Sequence, residues 1–248
     1  MIQWEQSEGG RAMEQFTMED SLRAWENNAD FWENAMGQEG NEFHRTVVRP
    51  RVSRLLEPGP EDFILDIACG EGSYSAYMAK KGARVTAFDF SPRLIELARK
   101  KQAMCGKSIE FCVADAGNYR QLMALSREVK YNKAVSNMAI MDITHVEPLF
   151  QAVEQLLEDK GIFVFATQHP CFVTLTEKYM TPHSYYGEAI AGQPSQQCYY
   201  HRSLQDIFRL CFDAGFVVED FYEECFRNPE RPEIIVVKAR KTGSGQGR

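Results

Sequence analysis

An α/β fold built around a mostly parallel sheet is predicted by three features of this 248-residue chain. Short apolar runs of strand length alternate with helix-length segments from Phe63 onward. The first run, Phe63-Ile-Leu-Asp-Ile67, empties into the turn Ala68-Cys-Gly-Glu-Gly72 and then into a helix. The last two runs, Phe216–Tyr222 and Ile234–Ala239, are too close for a crossover helix and are expected to pair antiparallel.

Before that core, Met18 to Met36 reads as a helix with Leu22, Trp25, Ala29, Phe31 and Trp32 broadly on one side. A second helix is expected over Asn41–Leu56, carrying Phe43, Val47, Val48, Val52 and Leu55, with Pro50 marking a kink or early break. The core then opens with the Phe63 strand and a helix from Ser73 to Lys81, stopped by Gly82. Val85-Thr-Ala-Phe-Asp89 is a second strand ending in an acid, and Ser91 and Pro92 supply the N-cap and first position of the next helix. Ile109-Glu-Phe-Cys-Val-Ala-Asp115-Ala116 reads as a third strand, again ending in an acid, and Asn132–Met138 as a fourth. A helix over Val146–Leu157, a fifth strand over Gly161–Ala166 and a helix over His201–Gly215 follow. Ser203 and Asp206 in that last helix have capping-box spacing.

The segment Thr167–Arg202 is claimed by no core strand or helix, and a connection that long is usually functional. It is dense in aromatic and polar residues, which suits a lid that chooses an acceptor better than a linker. The organisation expected is an N-terminal helical cap over 1–56, a core over 57–241 with a lid insertion over 167–202, and a flexible tail over 242–248. Residues 1–12 are polar and expected to fray.

Composition narrows the function. A formal charge of −7 and a pI of about 5.4 build no field that attracts nucleic acid or an anionic membrane. Seven scattered cysteines without a Cys-x-x-Cys pair argue against a disulfide framework or zinc site, and no metal is expected. With no secretion signal and no apolar run near the ~20 residues of a spanning helix, a cytosolic location is expected.

The glycine turn is acidic, with Asp66 on the strand and Glu71 between Gly70 and Gly72, and its spacing is not G-x-G-x-x-G. Such a turn repels a pyrophosphate and favours a cationic ligand. The ordered set Asp66/Gly70/Gly72, then Asp89, then Asp115 resembles the class I S-adenosylmethionine-dependent methyltransferases, in their small-molecule (type 11-like) branch. The resemblance covers roughly Phe43 to Lys241. It implies a Rossmann-like, seven-stranded, mostly parallel sheet with one antiparallel strand near the C-terminus and helices on both faces. It also implies that S-adenosylmethionine is bound and released as S-adenosylhomocysteine.

Carried over position by position, the resemblance gives Asp66 the cofactor's amino group, with Ala68, Gly70 and Gly72 as the surrounding backbone. Asp89 can accept both ribose hydroxyls, with Phe90 against the adenine or in the core. Asp115 would accept from the adenine amine, with Ala116 offering backbone, unless Asp115 is a helix N-cap. Asn137 and Met138 would lie under the methionine arm. A cation is needed for the cofactor's carboxylate, and Arg45, beside His44, is the candidate. Trp25 and Trp32 are helix packing or pocket walls, and Trp32 is carried forward as a wall. His169, directly after the fifth strand, resembles a His-Pro dipeptide of some small-molecule members, as general base or as a pocket hydrogen-bonder. His201 is the next catalytic candidate, and Tyr185 and Tyr200 complete the expected acceptor pocket.

The activity expected is methyl transfer to a small molecule, at oxygen, nitrogen or carbon. Nucleic-acid amino methyltransferases carry Asn/Asp-Pro-Pro-aromatic after the fourth strand, where this chain has Ser136-Asn137-Met138-Ala139-Ile140. The alternatives are a nicotinamide-dependent oxidoreductase on a similar fold and a non-catalytic cofactor-binding or partner-activating protein.

Overall fold

The computed structural model describes residues 17–105 and 109–243; the expected N-terminal fraying and the tail from 244 lie outside them. In chain order the cap holds α1 (Met18–Met36), a π-helical turn (His44–Val48) and α2 (Arg49–Leu56). The core follows with β1 (Phe63–Ile67), α3 (Ser73–Lys80), β2 (Arg84–Asp89), α4 (Pro92–Cys105), β3 (Glu110–Val113), α5 (Tyr119–Met123) and β4 (Tyr131–Asn137). A 3-10 turn (Ile140–Asp142), α6 (Glu147–Leu156) and β5 (Leu157–Gln168) come next. The hairpin β6 (His183–Gly187) and β7 (Gln197–His201) precedes α7 (Leu204–Asp213), β8 (Phe216–Glu224) and β9 (Ile234–Lys241).

Seven strands form one sheet in the order β3-β2-β1-β4-β5-β9-β8, with β9 antiparallel to both its neighbours. Burial on both faces explains why the central strands read as unbroken apolar runs. In β1, Phe63, Leu65 and Ile67 pack with α5, α6 and α7, while Ile64 packs with α2, α3 and α4. The chain winds outward from β1 to β3 and then returns to the other side of β1 with β4. Its connections therefore diverge between β1 and β4, which opens a crevice at the carboxyl ends of those strands.

Several elements differ from the sequence expectation for local reasons. Pro50 does not end the helical segment: it sits in the first turn of α2, where a missing N–H costs little. The preceding π-helical turn takes up the change of register, with Arg49 N–H donating to His44 O. The third strand stops at Val113, so Asp115 lies on the following turn, where its carboxylate accepts Gly117 N–H at 2.8 Å. It is not a helix N-cap, since Asn118 caps α5. The fifth strand begins at Leu157, four residues before Gly161. The last helix begins at Leu204 behind the Ser203–Asp206 capping box, which leaves His201 on β7. The lid is not strandless: its β-prone aromatics pair across β6 and β7, with Tyr185 opposite Tyr199.

Candidate active site

The crevice is an open cleft of about 1380 Å³, counted out to its mouth. Its floor is made by strand ends whose backbone is held in the left-handed region. Ala68 after β1 (φ 51°) and Met138 after β4 (φ 54°) are non-glycine residues there, and both line the cleft. Such conformations persist where the surroundings over-determine them, and they cluster at ligand sites. The two glycines of the turn differ. A Cβ on Gly70 (φ 57°) would meet only Trp32 Nε1, at 3.7 Å. One on Gly72 (φ 79°) would stand 3.0 Å from Ala98 Cβ and 3.1 Å from Phe111 Cζ. Gly70 therefore leaves room at the cleft, whereas Gly72 lets β3 and α4 close against the turn.

Three acids gather beneath the turn. Asp89, at the end of β2, accepts Gly70 N–H on one oxygen and Ser91 N–H on the other, both at 2.9 Å. Burial raises its pKa to about 6 against those two stabilising bonds. Asp66 is pushed up to about 7 by burial, partly offset by the hydroxyl of Ser75. Glu71 corrects the reading of the turn as uniformly cation-seeking, because its carboxylate already has protein partners. It accepts from Trp32 Nε1 at 3.0 Å and from the Ser73 hydroxyl, and pairs with buried Lys101 at 3.4 Å. Lys101 also donates to Gly37 O at 2.8 Å, so Glu71 ties the turn to the end of α1.

The opposite wall comes from the cap. α1 is fastened to the core by Glu26, which accepts from the Ser91 hydroxyl and from Arg93 N–H, and by Asp30, which pairs with Arg93 at 2.6 Å. This directs Met18, Trp25 and Trp32 into the cleft, where the two indoles meet edge to face at 5.3 Å. From the next helix His44 and Arg49 line it, with His44 held by Asn41 and lowered to about 4 by burial. From the end of β4 comes Asn137, and from the turn after it Asp142. Among the described residues, Asn137 Oδ1 and Asp142 Oδ1 are buried acceptors without a hydrogen-bond partner, and such groups call for an explanation.

Of the residues expected at the site, Asp66, Ala68, Gly70, Asp89, Phe90, Asp115, Ala116, Asn137, Met138 and Trp32 all line this one cleft. Gly72, at its back, faces Ala98 and Phe111. Arg45 does not line it: it is exposed on the far side of a helix whose buried side is set by Val48, Val52 and Leu55, and Arg49 takes the inward position. His169 is also elsewhere. It is 1% exposed, accepts Cys171 N–H on Nδ1 at 3.2 Å and donates Nε2–H to Glu223 at 2.6 Å, which joins β5 to β8. His201 is held by Thr174 and by the carbonyl of Tyr179. Together with Tyr185 and Tyr200 it lines a separate, shallow cleft beside α7. Tyr185 bonds Gln168 at 2.7 Å, and Tyr200, pushed up to about 12 by burial, bonds Thr144 at 2.8 Å.

Arg49 and Asp142 are site residues that the sequence reading passed over, and His44 was named there only as the neighbour of Arg45. Arg49 is legible from the Val48/Val52 stripe it neighbours. Asp142 stands out only as a charge within the otherwise apolar run Met138–Ile143. Among the described residues no three His, Cys, Asp or Glu side chains gather as a metal site, and no helix is long and apolar enough to cross a membrane.

A doubly wound sheet with an acid at the end of β2 and a glycine turn after β1 defines a nucleoside-binding α/β protein. The model of the methyltransferase domain family matches residues 60–215, and the chain belongs to that family, the class I S-adenosylmethionine-dependent methyltransferases. It is 38% identical over 73 residues to the demethylmenaquinone methyltransferase of Chlorobaculum tepidum, a stretch that is 29% of this chain and 30% of that protein. The stretches aligned with the first curated relatives span 30 to 44% of those proteins' lengths. Among solved structures, a putative S-adenosylmethionine-dependent methyltransferase from Listeria monocytogenes aligns with a TM-score of 0.63 at 20% identity, covering 78% of this chain and 97% of that one. The magnesium protoporphyrin IX methyltransferase of Synechocystis PCC 6803, with bound S-adenosylmethionine, aligns at 0.62 and 16% identity over 93% and 100%. At those identities the likeness speaks for the fold.

Proposed function

We propose that this chain binds S-adenosylmethionine in the β1/β4 crevice and transfers its methyl group to a small-molecule acceptor. The observation that carries the reading is Asp89. Each of its oxygens is anchored by one backbone N–H, which leaves further lone pairs for two vicinal ribose hydroxyls. Asp115, with the backbone of Ala116 and Gly117, would take the adenine amine, and Phe90 would lie against the ring. Asp66, Asn137 Oδ1 and the strained backbone at Ala68 and Met138 suit an ammonium, since all present acceptors. Arg49, replacing Arg45 in this role, would take the carboxylate, and His44, neutral near pH 7, would add a hydrogen bond without a charge.

The cofactor, when bound, supplies a methyl carbon already activated by the sulfonium. The chain's own work is then alignment and exclusion of water. Trp25 and Trp32 form the apolar wall for that purpose. The relative named for a menaquinone precursor supports a ring-bearing acceptor. The net negative charge speaks against nucleic acid, and a cytosolic location accords with the composition. A nicotinamide cofactor is disfavoured because its pyrophosphate would lie against the buried acids of the turn.

Calorimetry with S-adenosylhomocysteine tests the reading. Wild type should bind, and Asp89→Asn should bind more weakly by about 1.5–3 kcal/mol for each charged contact weakened. Folded wild type that binds neither S-adenosylmethionine nor its product would overturn it, as would tighter binding of NADH.

A further inference from the structure

The cleft holds one acid that the cofactor reading leaves without a task. Asp142 ends the 3-10 turn after β4, and its Oδ1 has no partner among the described residues. Trp25 lines the same cleft, and its indole lowers the Asp142 carboxyl against the effect of burial. Asp142 lines the cleft together with Trp25, Trp32, Met18 and Ile143, so its carboxyl group sits in the wall of an aromatic and apolar space while Oδ1 itself is buried. A buried acceptor there is costly unless something donates to it. Trp25 sits on the cap and Asp142 on the core, so the pair forms only where cap and core meet.

We propose that Asp142 receives the methyl acceptor: a ring-bearing molecule whose O–H or N–H donates to the Asp142 carboxylate, with Asp142 as the base that takes that proton. This rests on the methyltransferase reading and deepens it. The acceptor's proton passes to the carboxylate, and the freed lone pair on its heteroatom forms the bond to the methyl carbon. The methyl–sulfur bond breaks with its electron pair remaining on sulfur, which leaves a neutral thioether. No further reactant is needed, and the proton returns to solvent when the product leaves. An acceptor bearing a carboxylate at that point would be repelled by Asp142.

The surroundings make this carboxylate a stronger base than a free one. Burial holds the Asp142 carboxyl well above the usual range, the charge of Asp89 pushes the same way, and the indole of Trp25 opposes both. The lid faces it with Tyr185, Tyr199 and Cys198, each raised by burial and in part by the charge of Asp142. Arg202 is turned to the carbonyls of Ile140, Ile143 and Thr144 that flank it. Because the base must be ionised, the rate should fall as pH drops through this raised pKa.

The test uses the full-length protein with S-adenosylmethionine and three probes: 4-nitrocatechol for the O–H form, tryptamine for the N–H form, and benzoate as the repelled control. Wild type should methylate at least one of the first two and not benzoate. Asp142→Asn, which keeps the shape and the Trp25 contact, should lower that rate by about 10²–10⁴-fold. It should also abolish the acid limb of kcat/KM and leave S-adenosylhomocysteine affinity within about twofold, since no cofactor contact is altered. Trp25→Phe should move the acid limb to higher pH. With 4-nitrocatechol on the S-adenosylhomocysteine complex, the coloured ionised form should appear in wild type and not in Asp142→Asn. An unchanged rate and pH profile in Asp142→Asn would overturn the proposal. So would a loss of cofactor affinity matching the loss of rate, or benzoate as the preferred acceptor. Wild type that binds S-adenosylhomocysteine yet methylates neither O–H nor N–H probe would overturn the acceptor class alone. Wild type that binds no cofactor would remove the methyltransferase reading beneath it.

Discussion

The two halves of the cleft are built in different ways. The proposed cofactor half is a row of strand ends, with Asp66 and Gly70 at the end of β1 and just beyond it, Asp89 at the end of β2 and Asp115 just after β3. Their mutual placement is fixed by the sheet register, which pairs Asp66 with Ala87 and Asp89 with Val113. The acceptor half has no such frame. It is assembled from α1, the turn after β4 and the neighbouring hairpin, held together by side chains such as Asn28 on Ser195 and Trp32 on Glu71. One half is specified by backbone pairing and the other by contacts between segments far apart in sequence. The first should fail through strain and packing, and the second by loosening.

The largest effect should separate the two glycines of the turn. Gly72→Ala adds a methyl group against Ala98 and Phe111 at a left-handed position, and should cost about 2–4 kcal/mol of stability from strain and overpacking together. Gly70→Ala meets no backbone, so its cost should be about 1–2 kcal/mol from conformation alone. Its methyl group stands at the cleft, and S-adenosylhomocysteine affinity should fall more than stability does. Denaturant melts and calorimetry on both variants check this. Equal stability losses with unchanged affinity in both would mean that neither glycine makes room for a ligand.

Next in size is the cation. Arg49→Gln should weaken S-adenosylmethionine binding by about 1.5–3 kcal/mol, the range for a hydrogen bond to a charged group. Arg45→Gln, on the exposed side, should leave it unchanged within error. The reverse ranking in calorimetry would restore Arg45 and require the helix to turn about its axis.

What the sequence made legible follows the same division. The seven strands and their order along the chain could be read because buried parallel strands need unbroken apolar runs. Asp89 and Gly70 could be read because a strand end followed by a turn has one place to go. His169 looked equally well placed, directly after β5, but its side chain turns to Glu223 on β8, and no local pattern reveals a partner 54 residues away. Arg45 and Arg49 lie one turn apart on the same helix, and only which side packs on the core decides between them. The lid hairpin was missed because Tyr185 and Tyr199 pair across a loop without a recognisable turn signature. Asp142 depends on an indole 117 positions earlier, since Trp25 reaches it only after the cap has docked.

The smallest effect should come from the clamp between cap and hairpin, where the side-chain frame can be tested without touching ligand. Asn28 is 1% exposed, and its amide both accepts Ser195 N–H and donates to Ser195 O, each at 2.8 Å. Gln193 also donates to that carbonyl at 2.7 Å, so it keeps one partner when Asn28 is removed. Asn28→Ala therefore orphans one part-buried N–H, for a cost of about 1 kcal/mol, or roughly 2–4 °C in Tm for a chain of this size. The loss should be local. Hydrogen exchange should quicken around 188–197 and along the middle of α1, and amides of β1, β2 and β4 should keep their protection. S-adenosylhomocysteine affinity should stay within about twofold, because α1 remains fastened through Glu26, Asp30 and Trp32. If exchange instead quickened in the strand ends together with a tenfold loss of affinity, the two halves would open as one unit. The division between a backbone-built cofactor half and a side-chain-built acceptor half would then be wrong.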